Sequence, residues 1–185
     1  MGPNIKMTKR TILRVEDEHK AKEVLALYQR NKPFFERFEP TRPVNFYTLE
    51  YHENALRREH SAINLGTFLR YYVYKANNTS RIIGSVNFNF FYNHAIPYAE
   101  IGYKIDVMFQ NQGIGYEVCQ AAIEVISKEY GFKRIDARIH PDNVSSIKLA
   151  QKLGFKPVGL EPKSANIMGR YQDLIRYTLD TSDIQ

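Results

Sequence analysis

Seven residues, Gln110-Asn111-Gln112-Gly113-Ile114-Gly115-Tyr116, place two glycines one residue apart just before the longest amphipathic run in the chain. Glycine there lets the backbone take positive φ or come close to another group. The helix that follows turns its unpaired N–H groups and the positive end of its dipole back on the turn. Such a turn is either an anion site, with phosphate as the usual occupant, or a plain tight turn. Two familiar phosphate loops do not fit, because no Lys-Ser/Thr follows the glycines and no third glycine completes a dinucleotide fingerprint. On the N-terminal side, Ala99, Ile101, Tyr103, Ile105 and Val107 alternate with Glu100, Gly102, Lys104 and Asp106, which is the period of a strand. Glu100 therefore shares a face with Gly102, whose missing side chain leaves space. Further on, Pro141-Asp142-Asn143 supplies a turn and an N-cap to a second helix that carries Ser146 in its first turn.

The elements that must position these residues follow from periodicity. A strand is expected over Thr11 to Val15, then a helix bearing Ala21, Val24, Leu25 and Tyr28. The proline-punctuated NKPFFERFEPTRP interrupts regularity, and Phe34, Phe35, Phe38, Phe46 and Tyr47 either wall a pocket or form a satellite cluster under a loop. A helix from about Thr48 to Leu65 puts Leu49, His52, Leu56 and Ile63 on one side, with His52 and His60 read as surface histidines because neither keeps metal spacing. Thr67 to Lys75, Arg81 to Phe91 and Ala99 to Val107 form an antiparallel meander. Beyond the glycines, Val118, Ala121, Ala122, Val125 and Ile126 make the stripe of a helix packed on a sheet, with Cys119 on its flank as a small buried residue. Arg134 to Ile139 is a strand, VSSIKLAQKLGF a helix stopped by Gly154, and KPVGL and IRYTLD are the last two strands. The strands on either side of the long helix should be parallel.

Composition bounds the function. The 185 residues suit one domain, 1–185, with a core over about 11–180. A single cysteine excludes an internal disulfide and a thiolate metal cluster, and no metal site is expected. No apolar run reaches the ~20 residues of a membrane span, and MGPNIKMTKR lacks the apolar core of a secretion signal, so a cytoplasmic protein is expected. The net charge of +6 is spread along the chain among 20 acidic residues, which is unlike a nucleic-acid footprint yet favours approach by a polyanionic small molecule or a ribosomal surface.

The order AEIGYKIDV, QNQGIG with its long helix, a strand, then PDNVSSIKLAQKLGF resembles the acyl-CoA-dependent N-acetyltransferases of the GNAT superfamily, whose Gln/Arg-x-x-Gly-x-Gly/Ala pattern is filled by Gln110, Gly113 and Gly115. FFERFEPTRPVNFYTLEYHENAL and IIGSVNF narrow the resemblance to the branch that acetylates the N-terminal alanine or serine of ribosomal proteins, over roughly Ile12 to Leu179. It implies an α/β fold with a mixed, mostly antiparallel sheet and a central, splayed parallel pair flanked by helices. It also implies acetyl-CoA as cosubstrate and direct transfer to a primary amine, the N-terminus of a ribosomal or other protein, by a monomer or homodimer. A small amine such as a polyamine, antibiotic or amino acid, or a non-catalytic CoA-binding sensor, stays open. Gln110, Asn111, Gln112, Gly113, Ile114, Gly115 and Tyr116 would hold the pyrophosphate, with glycine needed because a Cβ would block it. Backbone groups of Ile105, Asp106 and Val107 would bond the pantetheine arm, Asn143 the cofactor, and Ser146 would lie near the sulfur. Some relatives place a glutamate where Ala165 stands, and the histidine usual after Asp173 is Leu174. Glu161 lies several residues earlier, and Glu100 is the preferred base, with an ordinary ion-paired glutamate as the alternative.

Overall fold

The computed structural model describes residues 4–182. Eight strands form one sheet in the order β1-β2-β3-β4-β5-β6-β8-β7. They are β1 Ile5–Met7, β2 Thr11–Arg14, β3 Phe68–Lys75, β4 Gly84–Phe91, β5 Tyr98–Ile105, β6 Arg134–Ile139, β7 Lys156–Ile167 and β8 Arg170–Asp180. Every neighbouring pair is antiparallel except β5 with β6, as expected for strands joined through a helix.

Alternation along the strands splits the core in two. On one face α4 (Ile114–Lys128) and α5 (Val144–Lys152) cover Leu69, Tyr71 and Val73 of β3, Phe88 of β4 and Ile101 of β5. On the other, α1 (Ala21–Arg30), the short α2 (Lys32–Phe35) and α3 (Leu49–Asn64) cover Tyr72 and Tyr74.

Several expectations are corrected. The sheet begins at β1, before the expected core. The buried stripe of α1 is Ala21, Val24, Leu27 and Tyr28, so Leu27 takes the place assigned to Leu25. In α3 only His52 and Leu56 are buried, and Leu49 is exposed. His52 is no surface histidine: its ring stacks on Tyr28 and meets Phe46 edge-on, and burial, with the nearby Arg42 charge, pushes its pKa down to about 4. His60 is exposed, as expected. The last two strands are longer than KPVGL and IRYTLD, because residues 161–174 continue them as one hairpin with two register shifts.

A single buried carboxylate ties the two layers together where β5 ends. Asp106 accepts from Arg30 Nε of α1 at 2.6 Å and from Arg81 NH2 at 2.7 Å, and caps the 3₁₀ turn Val107–Phe109 through Met108 N–H. Next to it, Asn31 donates to Leu27 O and accepts from Val107 N–H, both at 2.9 Å. Burial alone would raise the Asp106 pKa, but the hydrogen bonds from Arg30, Arg81 and Met108 outweigh it and hold the carboxyl below its usual range. Its contribution is therefore complete above the unfolded carboxylate value near 3.9 and is lost as pH falls through the lower folded value. Asp106→Ala should cost about 3 kcal/mol by leaving two guanidinium groups without their counter-charge. Urea titration near neutral pH checks the loss, and repeating it under acid should show the variant and wild type converging.

Candidate functional site: a wedge between two parallel strands

The parallel ladder between β5 and β6 consists of two register pairs, Ala99 with Ile135 and Glu100 with Asp136. Beyond them β6 stays paired to β8 as far as Ile139, while β5 stays paired to β4 as far as Ile105. The two strands therefore diverge toward their C-terminal ends. Strand N–H and C=O groups alternate in direction. Asp106 N–H bonds Ile83 O on the β4 side, so Tyr103 and Ile105 aim their backbone groups into the wedge. Gln110 confirms this direction, since its side-chain amide donates to Ile105 O at 3.1 Å.

This arrangement corrects the backbone set read from sequence. Asp106 N–H is taken by Ile83 and its carbonyl by Phe109 N–H; Val107 N–H is taken by Asn31 and its carbonyl by Gln110 N–H. The 3₁₀ turn folds both residues into the protein, so of the three only Ile105 faces the wedge, joined by Tyr103.

The glycine turn closes the mouth of the wedge. Asn111 and Gly113 both have positive φ, 57° and 75°, and Gly113 is the N-cap of α4 with no side chain to cap the helix. The remaining N-terminal amides of α4, from Ile114 to Tyr116, point back toward the turn. Each glycine has its own requirement. Gly113 occupies left-handed backbone, whereas a Cβ on Gly115 would lie 3.3 Å from Leu149 Cδ2 and 3.7 Å from Ile105 Cγ1. A Cβ at Gly115 would thus press on α5 and β5 from outside, a packing constraint at that position in addition to the expected clearance for an anion. Arg10, from the β1–β2 turn, braces the loop: NH1 donates to Gln112 O at 2.8 Å and Nε to Glu117 Oε2 at 2.6 Å. Gln112 Nε2 donates to Met108 O at 2.9 Å. Sequence reading missed Arg10, which stands 102 residues from its Gln112 partner.

α5 supplies the other wall. Asn143 caps it by accepting from Ser146 N–H at 3.2 Å and from the Ser145 hydroxyl at 3.1 Å. Ser146 Oγ and Tyr103 Oη are 2.8 Å apart, and the Tyr103 hydroxyl also donates to Ser146 O at 3.1 Å. The helix and the diverging strand are joined by two hydroxyls, a role the alternation pattern alone did not assign to Tyr103. Burial pushes the Tyr103 phenol well above its ordinary range. Cys119 is buried and its thiol pKa is raised by desolvation, in line with a packing residue.

On the opposite sheet face, Glu100 is held by Arg138 at 2.8 Å. The space beside Gly102 is partly filled by Asn87, whose Oδ1 would lie 3.1 Å from an added Cβ. Lys104 donates to Glu39 at 3.1 Å and Tyr28 Oη at 3.3 Å. The segment bearing Glu39 continues past Phe38, whose ring lies 5.6 Å from that of His140. It then reaches the tip of the β7–β8 hairpin, where Thr41 N–H donates to Asn166 O at 2.8 Å and Gly169 N–H to Thr41 Oγ at 3.0 Å. Residues 38–42 thereby bridge the sheet face from β5 across β6 and β8. Asp173 accepts from Lys163 N–H at 2.8 Å, and Glu161 pairs with Arg176 at 3.4 Å, so both acidic residues brace the hairpin. Among the described residues no cluster of metal-ligating side chains occurs and no helix is long and apolar enough to cross a membrane.

A sheet with one splayed parallel pair and a glycine turn leading into the crossover helix is the frame of an acetyltransferase fold. A family model described as the acetyltransferase (GNAT) domain matches residues 10–156, and the chain belongs to that family. It is 28% identical over 153 residues to a probable N-acetyltransferase, YjcK, of Bacillus subtilis, covering 83% of this chain and 84% of that one. It is 26% identical to the ribosomal protein uS5-alanine N-acetyltransferase of Escherichia coli, over 98% of this chain and 93% of that one. Among solved structures, the ribosomal-protein-S5-alanine acetyltransferase of Vibrio fischeri superposes with a TM-score of 0.89 at 23% identity, covering 98% of both chains. Mycobacterium smegmatis RimJ, in complex with CoA-disulfide, gives 0.90 at 15% identity, covering 99% of this chain and 91% of that one.

The two glycines make separable predictions. Gly113→Ala should cost about 1 kcal/mol because alanine is strained at φ 75°, while Gly113→Asn should cost less since asparagine tolerates that region. Gly115→Val should cost about 1–3 kcal/mol by overpacking against Leu149. Denaturant midpoints of the three variants test the order, and equal losses for Ala and Asn at 113 would contradict the backbone account.

Proposed function

We propose that this chain transfers an acetyl group from acetyl-CoA to a primary amine, the N-terminus of a ribosomal or other protein. The observation that carries the reading is the wedge: a strand edge released from its β6 partner, a helix N-terminus without a side-chain cap at its mouth, and two hydroxyls on its inner wall.

The residues fit the cosubstrate. The backbone of Gln112 to Tyr116, with the Arg10 charge beside Gly113, suits a diphosphate. Tyr103 and Ile105 suit an amide-bearing arm that adds to β5 as a partial strand, and the Asn143 side chain lies at the α5 end of the same opening. Acetyl-CoA, when bound, supplies an activated acetyl thioester. The chain would do the rest with its own groups. Ile105 N–H would face the developing oxyanion, Glu100 would take the proton released by the amine and pass it to solvent, and Ser146 Oγ–H, backed by Tyr103, would give a proton to the departing thiolate and recover one from solvent.

The bridge formed by residues 38–42 supports a slender acceptor, since it spans the face on which Glu100, Gly102 and Lys104 lie. A chain terminus also suits a site with a modest base. An α-amino group has a pKa near 7.7 to 8.0, so about a tenth or more is neutral at pH 7, whereas lysine near 10.4 leaves well under a tenth of a percent. The names of the Escherichia coli and Vibrio fischeri relatives support the same acceptor class.

Thiol release from acetyl-CoA, followed with peptides bearing a free N-terminus, blocked peptides containing lysine, and polyamines, tests the reading. Release with free N-termini alone is expected, and Ser146→Ala should lower kcat by about 10²-fold. Uptake of acetyl-CoA with no thiol released to any amine would point to a binding protein without turnover.

A further inference from the structure

Asn87 of β4 stands opposite Gly102 of β5, on the sheet face that also carries Glu100 and Lys104. Its carboxamide lies over the Gly102 backbone: Oδ1 is 3.1 Å, and Nδ2 3.3 Å, from where a Cβ on residue 102 would stand. Glu100 and Lys104 beside it are both engaged, the first with Arg138 and the second with Glu39 and Tyr28. Asn87 is not. It is half-buried, yet among the described residues neither end of its carboxamide has a hydrogen-bond partner, and neither end is sealed from solvent.

Register fixes the gap between this amide and the carboxylate. Glu100 faces Asn89, so Asn87 is its diagonal neighbour on the same face, with Cβ atoms about 7 Å apart. A nitrogen that donates to two oxygens at about 2.9 Å spans about 6 Å between them at most. An amine therefore fits between the Glu100 carboxylate and the Asn87 oxygen, above Gly102, which has no side chain to occupy the gap. Held there, a neutral primary amine gives one N–H to each oxygen and keeps its lone pair for the thioester carbonyl.

The far end of the same group adds a requirement. A carboxamide accepts at one end and donates at the other, whichever way it is turned. With its oxygen on the amine, its NH₂ needs an acceptor atom close to that amine. A chain terminus supplies one, because the carbon that bears its amine also bears a carbonyl. The ε-amine of lysine and the amines of a polyamine have no carbonyl there.

We propose that Asn87 binds the first residue of the acceptor, its oxygen taking an N–H of the amine and its nitrogen donating to the carbonyl of that residue, so that it selects chain termini over side-chain amines. The inference rests on the reading above in which Glu100 takes the proton of the acceptor amine.

Two measurements test it. Asn87→Leu keeps bulk over Gly102 and removes both bonds. Thiol release from acetyl-CoA is compared in wild type and variant for an alanyl peptide and for 2-aminopropane, in which a methyl replaces the carbonyl. At roughly 10-fold per hydrogen bond lost, kcat/KM should fall about 100-fold for the peptide and about 10-fold for 2-aminopropane, with acetyl-CoA affinity unchanged by calorimetry. Equal falls for the two amines, or none for the peptide, would overturn the inference while acetyl transfer by the wild type stood. In the second measurement, the ¹⁵N side-chain amide resonance of Asn87 is followed in the wild-type protein saturated with CoA. The alanyl peptide should shift it, and an N-acetylated lysyl peptide should not. No shift with the free terminus, or equal shifts with both, would overturn the inference whether or not the protein turns over. The expected shift with no thiol release from any amine would uphold Asn87 as the ligand of the terminus and overturn the transfer reading instead. Should Asn87→Leu fail to fold, the wild-type titration decides alone.

Discussion

A strand that leaves its neighbour must satisfy its backbone groups in some other way, and β5 leaves β6 after two register pairs. Everything at the site follows from that parting. On the far side β5 stays bonded to β4 up to Ile105, so the strand cannot simply fray. On the wedge side the Ile105 carbonyl is met by the Gln110 side chain from the next turn, while Tyr103 reaches α5 through its phenol and leaves its backbone to the wedge. What remains is a half-open edge, the geometry on which an extended, amide-bearing ligand adds as a strand does.

Holding the wedge open requires bracing at its mouth, and the chain provides it from distant places. Asp106 and Asn31 fasten the end of β5 to α1, while Arg10 fastens the glycine turn to the β1–β2 turn. These contacts explain how a turn that leaves the first amides of α4 without a side-chain cap is held in place with few side chains of its own. The polar groups of Lys104, Glu39 and Thr41 do similar service on the opposite face, carrying residues 38–42 across to the β7–β8 tip.

The fold was largely legible because most elements bury one face. The strict alternation of β4 and β5 and the apolar stripe of α4 announce a sheet with a helix across it, and the order of motifs identifies the superfamily. The hairpin was read too short for the opposite reason: β7 is an edge strand exposed almost throughout, so it has no buried face to write a period into the sequence. Pro157 and Pro162, which an edge strand tolerates, blurred the pattern further. His52 was misread because a polar residue on a helix is usually solvated, and only the folded cluster of Tyr28, Phe46 and Tyr51 shows that it is enclosed.

Sequence alone determined the features that depend on near neighbours: the left-handed turn at Gly113, the cap at Asn143, the strand face shared by Glu100 and Gly102, and the parallel pairing forced by a helical crossover. Tertiary structure decided what depends on groups far apart in the chain. It put Tyr103 against Ser146, Arg10 against Gln112, and Leu149 against Gly115, and it withdrew Asp106 and Val107 from the wedge by giving their backbone groups internal partners. The reason is that spacing along a chain fixes directions over a turn or two of helix or strand, while which donor meets which acceptor across 40 or 100 residues is set by how the layers pack.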